Sequence, residues 1–451
     1  MRYTAIFAGL ALVGAAGCSD FLNSPKAVLD PNQPSSANRN QLLPGVEAQV
    51  MDQQEGGAAM AICEWMQQCA GTNNRFVEEY FRYNVTASSF DANFNSVYTR
   101  GGLVSLREIQ RTATADGDLV YRGVSEVLEA LQVSFAADIW GDIPYSQAAD
   151  PTITTPKYDG QLAVYDALQT LLDKAIADLA GTGSGPGAFD VLYGGNKTKY
   201  TELAYTLKAR LYLHTVEKLG TGQYTKAIAA AQKGISTPAN DFRAVHTANT
   251  SERNLWAQFQ LTSFGADLVA GDRLVNLMKA DGDPRLAEYF GKNTAGGYGG
   301  SDPAGLNDPA TISPLQGSGR TDNVIFPQPI VTWLENQLIL AEANFVLSGA
   351  AAAQPFFNAE RASVGKAVKP ATLQGIMEDK YMNMFQNVET FNDFKRTCYP
   401  RLTPANPAFA VVPGRFLYGT TEAQTNKDNK PTEGPLQTFR NPNDPNACPT
   451  S

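Results

Sequence analysis

Few side chains in this sequence could carry reaction chemistry. His214 and His246 are the only histidines among 451 residues. His214 falls in a helical stretch between Leu213 and Val216, where an imidazole satisfied within the fold is the simpler reading. Metal or triad chemistry would need partners for these histidines, and the sequence identifies none. Asp138 and Asp142 could form the carboxylate pair of a glycoside hydrolase. They flank a Trp-Gly-Asp turn, however, where capping and turn-forming roles account for both. The segment GGNKT at 194–198 lacks a glycine directly before Lys197 and fails the spacing of a phosphate-binding loop. Catalytic residues, metal ligands and cofactors are therefore not expected.

Binding chemistry has better material. RFVEEYFRYN places Phe76, Tyr80 and Tyr83 at four- and three-residue steps. Buried, they would be a core face, the reading favoured for Phe76. Partly exposed, they would form a platform on which the C–H faces of sugar rings stack. Trp65 lies just upstream, and Asn73 and Arg75 in the intervening polar loop could bond ligand hydroxyls. Tyr298 stands alone in the glycine-rich GKNTAGGYGGSDPAGLND, as a surface loop or as a ligand contact presented by one. Trp65, Asn73, Arg75, Tyr80 and Tyr298 are the candidate ligand contacts.

Those residues need a frame, and helical periodicity supplies it. Val124, Val127, Leu128, Leu131 and Phe135 form an apolar stripe ending at Trp140-Gly141-Asp142-Ile143-Pro144-Tyr145, a rigid aromatic turn. Residues 92–113, 119–140 and 161–180 read as helices. So do the stretch from Lys197 through Leu219, the Ala-rich YTKAIAAAQKGI and NVIFPQPIVTWLENQLILAEANFVLSG. A weak helical pattern covers 41–70. Helix pairs with short connections suggest a mostly α, tetratricopeptide-like scaffold, although no clean repeat of that period is visible. Beyond about residue 240 the sequence is irregular and loop-heavy.

The N-terminus carries Arg2, a short apolar run and small residues before Cys18, the pattern of a bacterial lipoprotein signal. Residues 1–17 are expected to be removed, with Cys18 lipidated and 18–40 forming a Pro-, Asn- and Ser-rich tether. Residues 41–240 then form a helical part and 241–451 a loop-rich part packed with it as one body. The net charge of −9, without a basic run, argues against nucleic acid as a partner. The remaining cysteines, Cys63, Cys69, Cys398 and Cys448, allow three pairings. Proximity favours Cys63–Cys69 and Cys398–Cys448. The first bond requires the chain to leave helical geometry near Cys69, where Gly71 would permit it.

Several of these segments resemble the SusD/RagB family of outer-membrane nutrient-binding lipoproteins. The resemblance rests on WGDIPY at Trp140–Tyr145 with PKYD at Pro156–Asp159, and on GGNKTKYTELAYTLKARLYLH. It continues through DPRL at Asp283–Leu286, Ala341-Glu342-Ala343, ETFNDFKRT and GRFLYGTTEAQTN. It implies a SusD-like helical fold, anchored by lipid on the extracellular face of the outer membrane. It further implies binding without bond cleavage, delivering an oligosaccharide to a SusC-like TonB-dependent barrel. A peptide ligand, as in the RagB branch, is the first alternative. A secreted glycoside hydrolase and a helical-repeat adaptor are the others.

Overall fold

The computed structural model describes residues 38–73, 75–99, 101–316 and 319–436, together with 440, 441, 444 and 448. Cys18, the signal segment and most of the expected tether lie outside the described residues. The tether was expected to run to residue 40, but α1 (Arg39–Glu55) begins earlier. Asn38 caps it, and the Gln41 side chain bonds back to the Asn38 backbone, a reciprocal capping box. Gly56 ends α1, and α2 (Gly57–Trp65) follows at once.

Next come β1 (Cys69–Gly71), a π-helix at Phe76–Phe81, α3 (Asp91–Ser96), α4 (Leu103–Ala115) and α5 (Leu119–Trp140). The single helix expected over 92–113 is thus two, because Gly101 and Gly102 interrupt it. A Cβ on Gly101, which has φ +93°, would stand 2.2 Å from the Gly45 carbonyl oxygen. After β2 (Ile143–Pro144) and β3 (Tyr158–Asp159), the chain continues through α6 (Gln161–Leu179), α7 (Lys197–His214), α8 (Val216–Leu219) and α9 (Gly222–Ala231).

The second half holds β4 (Phe242–Arg243), α10 (Leu255–Gln260), β5 (Leu268–Ala270), α11 (Asp272–Asp281), α12 (Leu286–Tyr289) and β6 (Pro329–Val331). It closes with α13 (Trp333–Ser348), α14 (Ala350–Ser363), α15 (Leu373–Asn383), α16 (Glu389–Thr397) and α17 (Thr420–Thr425). The strands form three antiparallel two-stranded pairs, β1–β5, β2–β3 and β4–β6.

Helix α5 is the axis of the scaffold. Its apolar stripe marks a buried helix, and in the fold the burial extends to nearly all sides, from Val120 to Trp140. It lies between α4 and α6, so its polar residues must find internal partners. Glu129 accepts hydrogen bonds from Gln110 (2.7 Å) and the Tyr145 hydroxyl (2.9 Å), and the Gln132 amide donates to the Val46 carbonyl (3.2 Å). Packing then proceeds through α6, α7, α9 and α13 to α14, so the helical row crosses residue 240 without a seam.

The turn after α5 is built as the motif suggests. Trp140 is fully buried and donates to the Leu417 carbonyl (3.0 Å). Asp159 accepts from the amides of Tyr145 and Ser146, while Asp142 accepts from the Gln161 amide at the start of α6. Asp142 in the turn and Asp159 in β3 are thus occupied with architecture.

Candidate functional site

The Cys63–Cys69 disulfide joins the end of α2 to β1 across 5.2 Å between Cα atoms. The departure from helical geometry falls at Met66 and Gln67 rather than at Gly71, and Gln67 takes φ +54°. Gly71 has another use. A Cβ there would lie 2.2 Å from the Phe76 carbonyl oxygen, so glycine lets β1 pass against the start of the π-helix. A π-helix is a rare element that concentrates at functional sites.

One face of this π-helix opens on a cavity of about 520 Å³ lined by Gly57, Met60, Arg75, Phe76, Tyr80, Phe259 and Phe264. The volume falls within the usual range of small-ligand sites. Phe76 packs on Phe259 with ring centroids 5.0 Å apart and on Tyr80 at 6.0 Å. The Arg75 guanidinium lies 5.0 Å from the Tyr80 ring centroid and donates to the Tyr80 hydroxyl. Phe264 is 54% exposed at the rim, so a large ring face is open to an incoming molecule.

Behind the cavity, α2 carries Glu64 on the same side as Gly57 and Met60, by helical spacing. Burial raises the Glu64 carboxyl well above the usual range, outweighing the pull of nearby Arg75. Arg75 is the one charged residue of the lining. With no carboxylate, histidine, serine or cysteine in that lining, the cavity can hold a ring and bond its hydroxyls but offers no acid–base pair.

The candidate contacts divide by location. Arg75 and Tyr80 line the cavity, and Asn73 is exposed in the loop just before the π-helix. Trp65 does not reach it, which corrects the expectation from sequence. Its ring is 0% exposed, bonded through Nε1 to the Tyr80 carbonyl (3.0 Å), and packed edge-on against Tyr83, Phe90, Phe391 and Phe416. Ala58 to Trp65 are all buried, and α2 meets the cavity through Gly57 and Met60 near its start, not through its last turn. Tyr298 is half-buried and lines none of the cavities described here; its carbonyl accepts from Lys279 (3.0 Å). Sequence reasoning missed Phe259 and Phe264, in a stretch read as irregular. Asn254, which caps α10 through the Ala257 amide (3.0 Å), was the signal for a helix there.

The strongest cluster of titratable groups lies elsewhere. His214 bonds Asp138 through Nδ1 (2.9 Å) and Glu389 through Nε2 (2.7 Å), tying α7 to α5 and α16. The three could be grouped as metal ligands. Both ring nitrogens are nevertheless committed to carboxylates, and Arg210 lies 3.7 Å from Glu389. Burial opposes the imidazolium, but Asp138 and Glu389 prevail and lift His214 to about 9. An ion triad accounts for the geometry without a cation. His246 is likewise occupied, by Glu55 (2.9 Å) and the Glu252 carbonyl.

Among the described residues no helix is long and apolar enough to cross a membrane. No curated protein sequence matches the chain. Solved structures do. A chitin-binding protein superposes with a TM-score of 0.73 at 22% identity, covering 87% of this chain and 95% of its own. A chitin-binding SusD homolog from Flavobacterium johnsoniae gives 0.71 at 18%, covering 87% and 94%. A SusD/RagB family protein from Bacteroides thetaiotaomicron gives 0.68 at 22%, covering 87% and 95%. At these identities the likeness establishes the fold. The sequence itself matches, over residues 31–419, the SusD-like family described as starch-binding and associating with the outer membrane, and to that family the chain belongs.

Proposed function

We propose that this protein is a surface-exposed outer-membrane lipoprotein, anchored through Cys18, that captures an extracellular oligosaccharide and passes it to a SusC-like TonB-dependent barrel. The observation that carries the reading is the aromatic cavity beside the π-helix, formed by Phe76, Tyr80, Phe259 and Phe264 with Arg75 at its edge. Aromatic faces suit the C–H faces of sugar rings, and the guanidinium suits their hydroxyls. The starch-binding description of the family and the two chitin-binding relatives agree with a carbohydrate ligand. Ring-stacking surface favours sugar over peptide, whose capture would rely more on backbone pairing. Binding without bond cleavage is the reading that accords with the family's starch-binding description.

Two measurements test this. Gentle solubilisation of the native membrane and recovery of the lipoprotein should bring a large barrel protein in near-equal amount, identified by mass spectrometry. Recovery of the lipoprotein alone, where other membrane complexes survive, would turn the reading toward a free-standing binder. Titration calorimetry with starch- and chitin-derived oligosaccharides should detect binding that Phe264→Ala weakens. Unchanged affinity in that variant would remove the aromatic cavity as the site. Tyr298→Ala tests in the same way whether the glycine-rich loop takes part.

A further inference from the structure

The π-helix separates two cavities. Residues four apart share a face of such a helix, and residues two apart point to opposite sides. Phe76 and Tyr80 accordingly line the aromatic cavity, while Glu78 and Arg82 line a second, larger cleft of about 1090 Å³. The rest of that cleft comes from Asn84, from Asp302–Ala304 and from the proline-rich segment at 403–410.

Both outer walls are held in place. On one side Asn406 donates to the Arg82 carbonyl (2.8 Å), the Ala405 amide donates to the Tyr83 hydroxyl (3.2 Å), and Gln67 donates to the Thr403 carbonyl (2.5 Å). On the other, the Asp302 carboxylate accepts from the amides of Ala304, Leu306 and Asn307 at 2.8–2.9 Å. Asp302 is thereby spent on its own loop, and Glu78 is paired with Arg82 at 3.1 Å. What the cleft offers a visitor is the exposed amide of Asn84, the remaining donors of Arg82 and apolar proline and alanine surface. This lining is nearly neutral, carries donors and acceptors together, and exposes no ring platform, since Phe409 is buried against Tyr83.

Resting on the oligosaccharide reading above, we infer that the cleft is a second sugar-holding subsite and that the protein selects chains long enough to occupy both sides of the π-helix. The aromatic cavity grips one residue of the chain by stacking, and the cleft holds the continuation by hydrogen bonds. Tethered binding of this kind gains affinity because the second contact is intramolecular.

Calorimetry on the full-length protein with chitobiose and chitohexaose, and with maltose and maltohexaose, tests it. The hexaose of the recognised sugar should bind on the order of tenfold more tightly than its disaccharide. Ala304→Trp, which fills the cleft from an exposed position, and Asn84→Ala, which removes an exposed amide, should abolish most of that difference and leave disaccharide binding unchanged. Phe264→Ala should weaken both lengths. Equal affinity for both lengths in the wild type, or cleft variants that affect both lengths alike, would overturn the two-subsite inference while leaving sugar binding intact. Absence of binding by all four sugars would overturn the oligosaccharide reading, and this inference with it.

Discussion

Trp65 and Phe264 are both large rings beside the aromatic cavity, and burial separates their roles. Trp65 is enclosed by four aromatic rings, so Trp65→Ala should cost roughly 3–5 kcal/mol of stability, read by chemical denaturation. Phe264 is more than half exposed, so its truncation should leave the melting temperature nearly unchanged and lower glycan affinity. His214 makes a different prediction. Its pKa rises from 6.5 in the unfolded chain to about 9 in the fold, so the folded form holds the proton more tightly. Its contribution is therefore complete below about pH 6.5 and fades as pH climbs through about 9. Unfolding followed between those values should show a loss of stability that His214→Gln lacks. That variant should also be less stable at pH 6, because it leaves Asp138 and Glu389 buried without their cation.

Among the elements, the α5 turn and the α13 row depend on specific contacts. Gly141 takes φ +83°, and a Cβ there would meet the Asn441 Oδ1 atom at 2.5 Å. Gly141→Ala should destabilise by about 1–3 kcal/mol through backbone strain and that clash. Helix α13 is locked to its neighbours by buried ion pairs, Arg210–Glu335 at 2.6 Å toward α7 and Arg396–Glu342 toward α16. Arg396 also reaches Asp393 (2.5 Å). Arg396→Met should cost about 3–5 kcal/mol, since it strands buried carboxylates. Adding Glu342→Leu should recover part of the loss, a coupling that a double-mutant cycle would measure. The motif ETFNDFKRT owes its position to this: Glu389, Asp393 and Arg396 all face buried partners.

For the whole molecule, the row from α4 to α14 is a framework, and the site hangs on its irregular edge. The Cys398–Cys448 disulfide fastens the C-terminal segment across 50 residues of sequence. Replacing both cysteines with serine should lower stability by about 4 kcal/mol on loop-entropy grounds, as judged by urea unfolding. Asn441 links the same segment to α5, donating to the Asp138 carbonyl (2.8 Å). Loss of the disulfide should therefore loosen the ion triad before it affects the aromatic cavity, which hydrogen exchange at α5 and at the π-helix would separate.

The sequence alone determined the helical character, the α5 boundaries, the rigid turn at Trp140–Tyr145 and the family resemblance. Each of these is written in local periodicity, capping residues and rare residue combinations, which act over one or two turns of chain. It also brought attention to Arg75 and Tyr80. Only the tertiary structure decided which rings face outward. Trp65 and Phe264 carry the same kind of local signal, and nothing in their neighbourhoods says that four rings enclose one while the other stays at a rim. Burial depends on contacts between residues hundreds of positions apart, such as Trp65 with Phe391 and Phe416. The second cleft depends likewise on Arg82 meeting Asn406. Such pairings are set by how the helical row places its loops.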